Sequence, residues 1–214
     1  MKGMLHFSVE IGPVCNMAHK ECPATVREID GETMPIERVI EFVRDALSRG
    51  FEGFVGFHWY NEPTLYAERI SAVIDAVPEA RYMLVTNGTG PIDPRIEWVA
   101  RSRYELGDEY PFDTRMRNYD ESVAEGPCWR PMVECAIDHT GRIALCCQDW
   151  KLTAAVDTLD EWIGQAEAVT RGITPQVCST CTGRQDHAEY RRLLTDKGIA
   201  FKEDHEPHGD SDQP

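Results

Sequence analysis

The chain lacks any long apolar run, and its charge is one-sided. No stretch of its 214 residues approaches the ~20 consecutive apolar residues that a membrane-spanning helix needs. The first residues also lack an apolar core of signal-peptide length, so we expect a cytoplasmic protein. With 37 acidic against 22 basic residues, the formal charge of -15 repels nucleic acid and anionic membranes. Binding to either is therefore not expected.

Cysteine, in contrast, is abundant. The eight cysteines stand at positions 15, 22, 128, 135, 146, 147, 178 and 181. In a reducing compartment such groups are more often metal ligands than disulfides. A disulfide framework is typical of a secreted chain, and no secretion signal is visible here. We therefore expect metal sites.

The first candidate metal site is a loop that follows the apolar run Leu5 to Ile11. Cys15, His19 and Cys22 form a Cys-x3-His-x2-Cys pattern in this loop. The three side chains can converge only if the loop folds around a bound group, and a metal centre is the simplest such group. A surface loop with an incidental histidine is the alternative.

The order of the following segments predicts an α/β fold. Apolar residues at helical spacing alternate with short apolar runs. The predicted elements are a helix over Ile36 to Arg49, a strand over Phe51 to Trp59, a helix over Leu65 to Ala76, a strand over Arg81 to Thr86, and a helix from Asp93 to about Ser102. Strands that alternate with helices indicate a parallel sheet with right-handed crossovers.

Ligands of such sheets bind where the strands end, at their carboxyl edge. Asn61 and Glu62 follow the second predicted strand, and Thr86 and Asn87 end the third. Glu62-Pro63 is also consistent with a simple helix start, and Asn87-Gly88 with a turn.

Taken together, the three segments resemble radical S-adenosylmethionine (SAM) enzymes. Their cluster loop is usually Cys-x3-Cys-x2-Cys, so His19 stands in place of a thiolate. The resemblance implies a [4Fe-4S] cluster held by Cys15, His19 and Cys22. It also implies SAM bound near Asn61, Glu62, Thr86 and Asn87, with Glu62 at the SAM amino group. A neutral imidazole ligand raises the reduction potential, which makes reductive cleavage of SAM harder.

The predicted sheet is shorter than is usual in this family. Only 39 residues separate Gly88 from Cys128, which leaves room for one more strand, about Tyr104 to Tyr110. The family usually builds a partial barrel of six β-α units. We therefore expect a shortened partial (β/α) barrel with about four parallel strands.

The second cysteine set follows. A strand from Cys128 through Ile137, a turn at Asp138 to Gly141, and a strand from Arg142 to Leu145 predict a β-hairpin. Thr158 and Glu161 form a capping box that opens a helix.

Four thiolates can meet beside this hairpin. They are Cys128, Cys146, Cys178 and Cys181. Zinc or an iron-sulfur cluster suits them equally well, and Cys147 can replace Cys146 as the ligand. Cys135 lies inside a strand and is expected in the core. The arrangement resembles the twitch domain, the short form of the SPASM domain, which implies an auxiliary [4Fe-4S] cluster.

The resemblance implies a domain organisation and a function. A shortened radical SAM-like barrel spans residues 1–120, a twitch-like domain spans 121–202, and an acidic tail spans 203–214. The implied reaction is reductive cleavage of SAM and hydrogen abstraction from a small molecule or ribosomal peptide. The alternative is a degenerate iron-sulfur protein without SAM cleavage that acts in electron transfer, in binding or as a partner subunit. A third interpretation is a structural protein whose fold is stabilised by bound zinc. Because the short sheet has an open side, we also expect association with a second copy or another protein.

Overall fold

The computed structural model describes residues 1, 3–17, 22–26, 31–101 and 127–180, with the backbone alone at 25, 26, 179 and 180. The strands are β1 (His6–Val9), β2 (Phe54–Gly56), β3 (Arg81–Thr86), β4 (Trp98–Arg101), β5 (Glu134–Ile137) and β6 (Ile143–Ala144). The helices are α1 (Pro23–Val26), α2 (Ile36–Ser48), α3 (Ala67–Ala76), α4 (Arg130–Val133) and α5 (Leu159–Thr170). Short 3-10 helices span Pro63–Tyr66 and Gln176–Thr180. No helix within these residues is long and apolar enough to cross a membrane.

The six strands form one mixed sheet in the order β4-β3-β2-β1-β5-β6. β1 to β5 are parallel, and β6 is antiparallel to β5. The predicted hairpin is therefore present, and it extends the sheet. Its first strand, β5, lies directly beside β1.

One face of the sheet forms the hydrophobic core. Alternate strand residues point to the same face, so Phe7 and Val9 share their side with Val55, Ile137 and the other core positions of the sheet. The buried residues of α2, α3 and α5 pack on this same face. Cys135 is fully buried in this core, as its place in a strand predicts.

The opposite, inner face carries polar groups instead. Ser8 and Glu10 alternate with the core residues of β1 and are both fully buried. Gly56 of β2 and Ala136 of β5 lie level with Ser8 in the sheet. The His58 ring occupies the space over Gly56, because a Cβ there would stand 2.8 Å from His58 Cε1.

Several predicted elements differ from the observed ones. The predicted helix from Asp93 to Ser102 is wrong, because Trp98–Arg101 forms the edge strand β4. Asp93 accepts a hydrogen bond from the Arg95 amide at 2.9 Å and so forms a turn, and pairing with β3 then holds the following residues extended. The predicted strand at 104–110 lies outside the described residues, as does the predicted acidic tail.

Two element boundaries also move. The strand predicted from Cys128 is wrong in its first part, because Pro131 stands in the first turn of the short helix α4. The helix predicted from Leu65 begins as a 3-10 turn at Pro63 and becomes α-helical at Ala67. The capping box at Thr158 and Glu161 is confirmed, with both reciprocal hydrogen bonds present.

Candidate functional site

The loops after β1, β2 and β3 meet at the carboxyl edge of the sheet. Asn87 Nδ2 donates to Asn16 Oδ1 at 2.7 Å, and Asn16 Nδ2 donates to Thr89 Oγ1 at 2.9 Å. These two bonds join the loop of Cys15 to the loop after β3. The parallel sheet brings together segments that are more than 70 residues apart in sequence.

Glu62 joins the loop after β2 to both of its neighbours. Its Oε1 accepts hydrogen bonds from the Thr64 amide, the Thr64 hydroxyl and the Thr86 hydroxyl, at 3.0, 2.6 and 2.5 Å. Its Oε2 accepts from the Asn87 amide at 2.7 Å, and its own amide donates to the Val14 carbonyl at 3.0 Å. Protein donors thus engage both oxygens of this buried carboxylate, and Oε2 keeps acceptor capacity for a ligand.

The other predicted SAM-binding residues also bond within the loops. Asn61 Oδ1 accepts from the Trp59 amide at 3.1 Å, and Asn61 Nδ2 donates to the Phe57 carbonyl at 3.4 Å. The Thr86 hydroxyl accepts from the Gly88 amide at 2.9 Å. These side chains shape the carboxyl edge, and their predicted contact with SAM stays a prediction.

The loop of Cys15 is held by Tyr66. The Val14 amide donates to the Tyr66 hydroxyl at 2.9 Å, and the Tyr66 ring lies against Gly12. A Cβ at Gly12 would stand 2.6 Å from this ring, so glycine is needed for the close approach. Sequence reasoning missed Tyr66, although its place just after the Glu62-Pro63 segment is a signal.

Cys15 and Cys22 are both half-buried. Burial raises the pKa of the Cys15 thiol, a hydrogen bond from the Met17 backbone partly opposes the rise, and the Glu62 carboxylate adds to it. A bound metal offsets such a rise, because coordination deprotonates the thiol. Thiolates are ligands of zinc and of iron-sulfur clusters, and the third predicted ligand, His19, lies outside the described residues.

Two of the late cysteines, Cys128 and Cys146, lie near each other. Cys128 and Cys178 are half-buried, whereas Cys146 and Cys147 are buried. Burial raises the pKa of the Cys146 thiol well above its usual value, and the nearby Cys147 and Cys128 add to the rise. The hairpin predicts this proximity, and a bound metal would offset the raised pKa of Cys146, because coordination deprotonates the thiol. Cys181 lies outside the described residues.

Neither set of cysteines forms a complete metal site in the described part of the chain. Among these residues, no group of three or more His, Cys, Asp or Glu side chains is arranged to hold a metal ion. Each predicted ligand set includes one residue beyond them, His19 in the first and Cys181 in the second.

A buried acid and imidazole lie at the same edge. Glu10 follows β1 and His139 follows β5, and Glu10 Oε2 lies 3.2 Å from His139 Nδ1. The amides of Tyr60 and His139 also donate to the Glu10 carboxylate, each at 3.4 Å. Sequence reasoning missed this pair; the only signal was an acidic residue at the end of an apolar strand.

The fold of the chain is similar to that of solved structures. No protein-family model and no curated protein sequence matches the chain. Two solved structures of BtrN, a radical SAM enzyme, are similar. BtrN in an open conformation is 17% identical with a TM-score of 0.62, and the match covers 87% of this chain and 97% of that one. BtrN in complex with AdoMet and 2-DOIA is 16% identical with a TM-score of 0.57, and covers 88% and 97%. The chain therefore has an α/β fold of the radical SAM partial-barrel type, shortened and closed by a β-hairpin and a helix.

Proposed function

We propose that the chain is a radical SAM-like iron-sulfur enzyme. It would cleave SAM reductively and abstract a hydrogen atom from a small molecule or ribosomal peptide. The main observation behind this proposal is that the loops after β1, β2 and β3 meet at one edge of the sheet. Glu62 contacts Val14, Thr86 and Asn87, and Asn16 contacts Asn87. The similar fold of BtrN, of which one structure contains AdoMet, supports it.

The residues have separate roles in this proposal. Cys15, His19 and Cys22 hold a [4Fe-4S] cluster, and Cys128, Cys146, Cys178 and Cys181 hold a second. The cluster that Cys15, His19 and Cys22 would hold would supply, once reduced by an external one-electron donor, the electron for reductive cleavage of SAM into methionine and a 5′-deoxyadenosyl radical. Glu62 Oε2 accepts a hydrogen bond from the SAM ammonium, while the Asn16-Asn87 contact keeps the first and third loops in place.

The test is anaerobic turnover with counted metals. Protein purified without oxygen is analysed for iron, sulfide and zinc, then mixed with SAM and dithionite. We expect the wild type to form 5′-deoxyadenosine and methionine, and His19→Cys to form them faster because a third thiolate lowers the cluster potential. Cys15→Ala should form neither product. Cys135→Ala is the matched control, because this cysteine is fully buried in the core and belongs to neither predicted ligand set.

A second candidate function is favoured by the surroundings of Glu62. Its carboxylate already accepts from Thr64, Thr86 and Asn87, which a purely structural role explains. The chain would then be an iron-sulfur protein that has lost SAM cleavage and acts in electron transfer, binding or as a partner subunit. Calorimetry separates the two. Absence of SAM binding by both the wild type and His19→Cys, with iron still present, supports this second function and contradicts the first.

A further inference from the structure

Glu10 and His139 form a pair at the inner face of the sheet. Glu10 Oε2 lies 3.2 Å from His139 Nδ1 and accepts from the His139 amide at 3.4 Å. Glu10 Oε1 accepts from the Tyr60 amide, also at 3.4 Å. An ionised carboxylate can only accept hydrogen bonds, so the neutral imidazole must carry its proton on Nδ1 to bond to it. Nε2 is then the acceptor nitrogen of the ring.

The carboxylate lies behind the imidazole. None of the Glu10 side chain is exposed, whereas 7% of the His139 side chain is. A buried carboxylate needs partners that offset its desolvation, and the imidazole and the two amides supply them. Glu10 therefore fixes the orientation and the proton of His139, and His139 is the member of the pair that a ligand can contact.

Further polar atoms lie on the inner face beside this pair. Ser8 precedes Glu10 by two residues, so both side chains point to this face. The buried Ser8 Oγ has no hydrogen-bond partner among the residues that the structure describes. It lies near the His58 ring, because His58 Nδ1 and Ser8 Oγ stand 3.0 and 3.4 Å from a Cβ placed on Gly56. A buried polar atom of this kind indicates a bound water or ligand.

The chemistry of the pair limits the ligand that it can take. In the described part of the chain, Glu10, His58 and His139 do not form a group that could hold a metal ion. The Glu10 carboxylate disfavours an anionic ligand, and the formal charge of -15 adds to this effect. An acceptor nitrogen in front of a carboxylate suits a hydrogen-bond donor, which is an O–H or an N–H group.

We propose that His139 Nε2 accepts a hydrogen bond from a hydroxyl or amino group of the substrate, and that Glu10 is the positioning residue that keeps the His139 proton on Nδ1. This inference rests on the proposed function, because it concerns the substrate of that reaction. Tyr60, which donates to Glu10, lies in the same loop as Glu62. The pair selects substrates with an O–H or N–H group at this point and disfavours a carboxylate or phosphate there.

The first arm of the test locates the proton. In protein with ¹⁵N-labelled histidine, the ring signals distinguish the two tautomers, and His139→Gln identifies those of His139. The pH is about 8.5, roughly two units above the usual imidazole pKa of about 6.5. The wild type should carry the proton on Nδ1, and Glu10→Gln should show a mixture of tautomers. A wild-type ring with the proton on Nε2 or on both nitrogens, or a Glu10→Gln ring with the wild-type tautomer, overturns the inference.

Glu134→Gln is the matched control for this arm. Glu134 is also a buried glutamate, and it stands at the start of β5, whereas His139 follows the end of that strand. The same chemical change at this position should leave the His139 tautomer as it is in the wild type. An equal tautomer mixture in both variants would overturn the positioning role of Glu10.

The second arm uses cyclohexanol, cyclohexylamine and cyclohexanecarboxylate, which differ only in their polar group. We expect the alcohol or the amine to shift the His139 Nε2 signal, which tells hydroxyl from amino recognition, and the carboxylate to leave it unchanged. Glu10→Gln should bind the same probe about fivefold more weakly, as the loss of one hydrogen bond predicts. His6, at the start of β1, is the internal control whose signals should not move.

The remaining outcomes of this arm contradict the inference. They are a shift caused by the carboxylate, no shift with any probe, and equal probe binding by Glu10→Gln. A merely structural pair predicts the last of these, together with a lower melting temperature. Neither arm requires SAM turnover, so a wild type that forms no 5′-deoxyadenosine contradicts the proposed function, whereas a wrong proton position or absent probe binding contradicts this inference alone.

Discussion

At the scale of single residues, Gly12 decides how closely the Cys15 loop approaches the sheet. We predict that Gly12→Ala destabilises the fold by about 1–3 kcal/mol, as overpacking typically does, because the new methyl group meets the Tyr66 ring at 2.6 Å. It should also weaken metal binding by Cys15 and Cys22, because the loop must move. Chemical unfolding and iron counts measure both effects.

Gly164→Ala is a control for which we expect a gain in stability instead of a loss. It lies inside α5, and a Cβ there has nothing within 4 Å. Gly164→Ala should therefore stabilise the protein by roughly 0.5–1 kcal/mol through helix propensity, with unchanged iron content. Equal stability of the two alanine variants would contradict the packing argument for Gly12.

Glu62 serves stability as well as binding. Glu62→Ala leaves the Thr64 and Thr86 hydroxyls and the Asn87 amide without their acceptor. We predict a loss of unfolding free energy of at least ~2 kcal/mol, because each unsatisfied buried group costs about 1–3 kcal/mol. SAM binding should weaken in the same variant.

Thr86→Val separates these two effects. It removes one hydroxyl that donates to Glu62 and keeps the carboxylate in place. We expect a partial loss of stability and a smaller loss of SAM affinity than in Glu62→Ala. If calorimetry shows that Thr86→Val weakens SAM binding as much as Glu62→Ala does, the carboxylate has no separate role in binding.

At the scale of elements, the turn before β4 replaces a predicted helix, and Asp93 is its centre. Asp93 bonds to Ser71 at 2.7 Å and pairs with Arg95 at 2.7 Å. The Arg95 guanidinium, together with the Arg95 amide and Ser71, holds the pKa of this carboxyl well below its usual range, although burial opposes the shift. These interactions tie α3 to the turn that starts the edge strand.

This lowered pKa predicts a pH dependence of stability. A carboxyl whose folded pKa is depressed stabilises the fold above its unfolded pKa, about 3.9, and loses that contribution as the pH falls. The difference in unfolding free energy between wild type and Asp93→Asn should be constant above about pH 5 and shrink progressively below pH 4. Urea unfolding across this range measures it.

Asp160 is the matched comparison, because Arg49 likewise lowers its pKa. The Asp160 side chain is 80% exposed against 6% for Asp93, so solvent screens its ion pair. Asp160→Asn should show a smaller difference at every pH. A difference for Asp93→Asn that stays unchanged down to pH 2 would contradict the assignment.

At the scale of the whole molecule, β4 offers an edge for association. Within the described part of the chain it pairs only with β3, and Trp98 and Val99 are 41% and 37% exposed. An exposed apolar edge strand is a template for pairing with another chain. We predict self-association, seen by light scattering at micromolar concentration as about twice the 24.3 kDa mass of the chain.

A charge on the edge tests this prediction. Val99→Lys should shift the protein toward the monomer, because lysine on an edge strand opposes pairing. Ile173→Lys is the control, since Ile173 is exposed but lies outside the sheet. A monomeric wild type at every concentration, with no co-purifying protein, would reject association through this edge.

Local sequence determined much of this protein. Apolar periodicity located α2 and β3, the capping box located the start of α5, and three short segments pointed to the carboxyl edge. These features depend on neighbours within a few residues, so a pattern in the sequence is enough to find them. Even the hairpin of β5 and β6 is local, because a short turn joins its strands.

Only the tertiary structure decided the contacts between distant segments. Residues 98–101 are extended because they pair with β3. The helical propensity of a segment does not include the free energy of pairing with another strand. Glu10 meets His139 because β5 pairs with β1, and the Tyr60 hydroxyl donates to the Cys147 carbonyl although β1 and β5 lie between β2 and β6. Such contacts depend on the order of strands in the sheet, and nothing in the spacing of residues along one strand reports which strand will lie beside it.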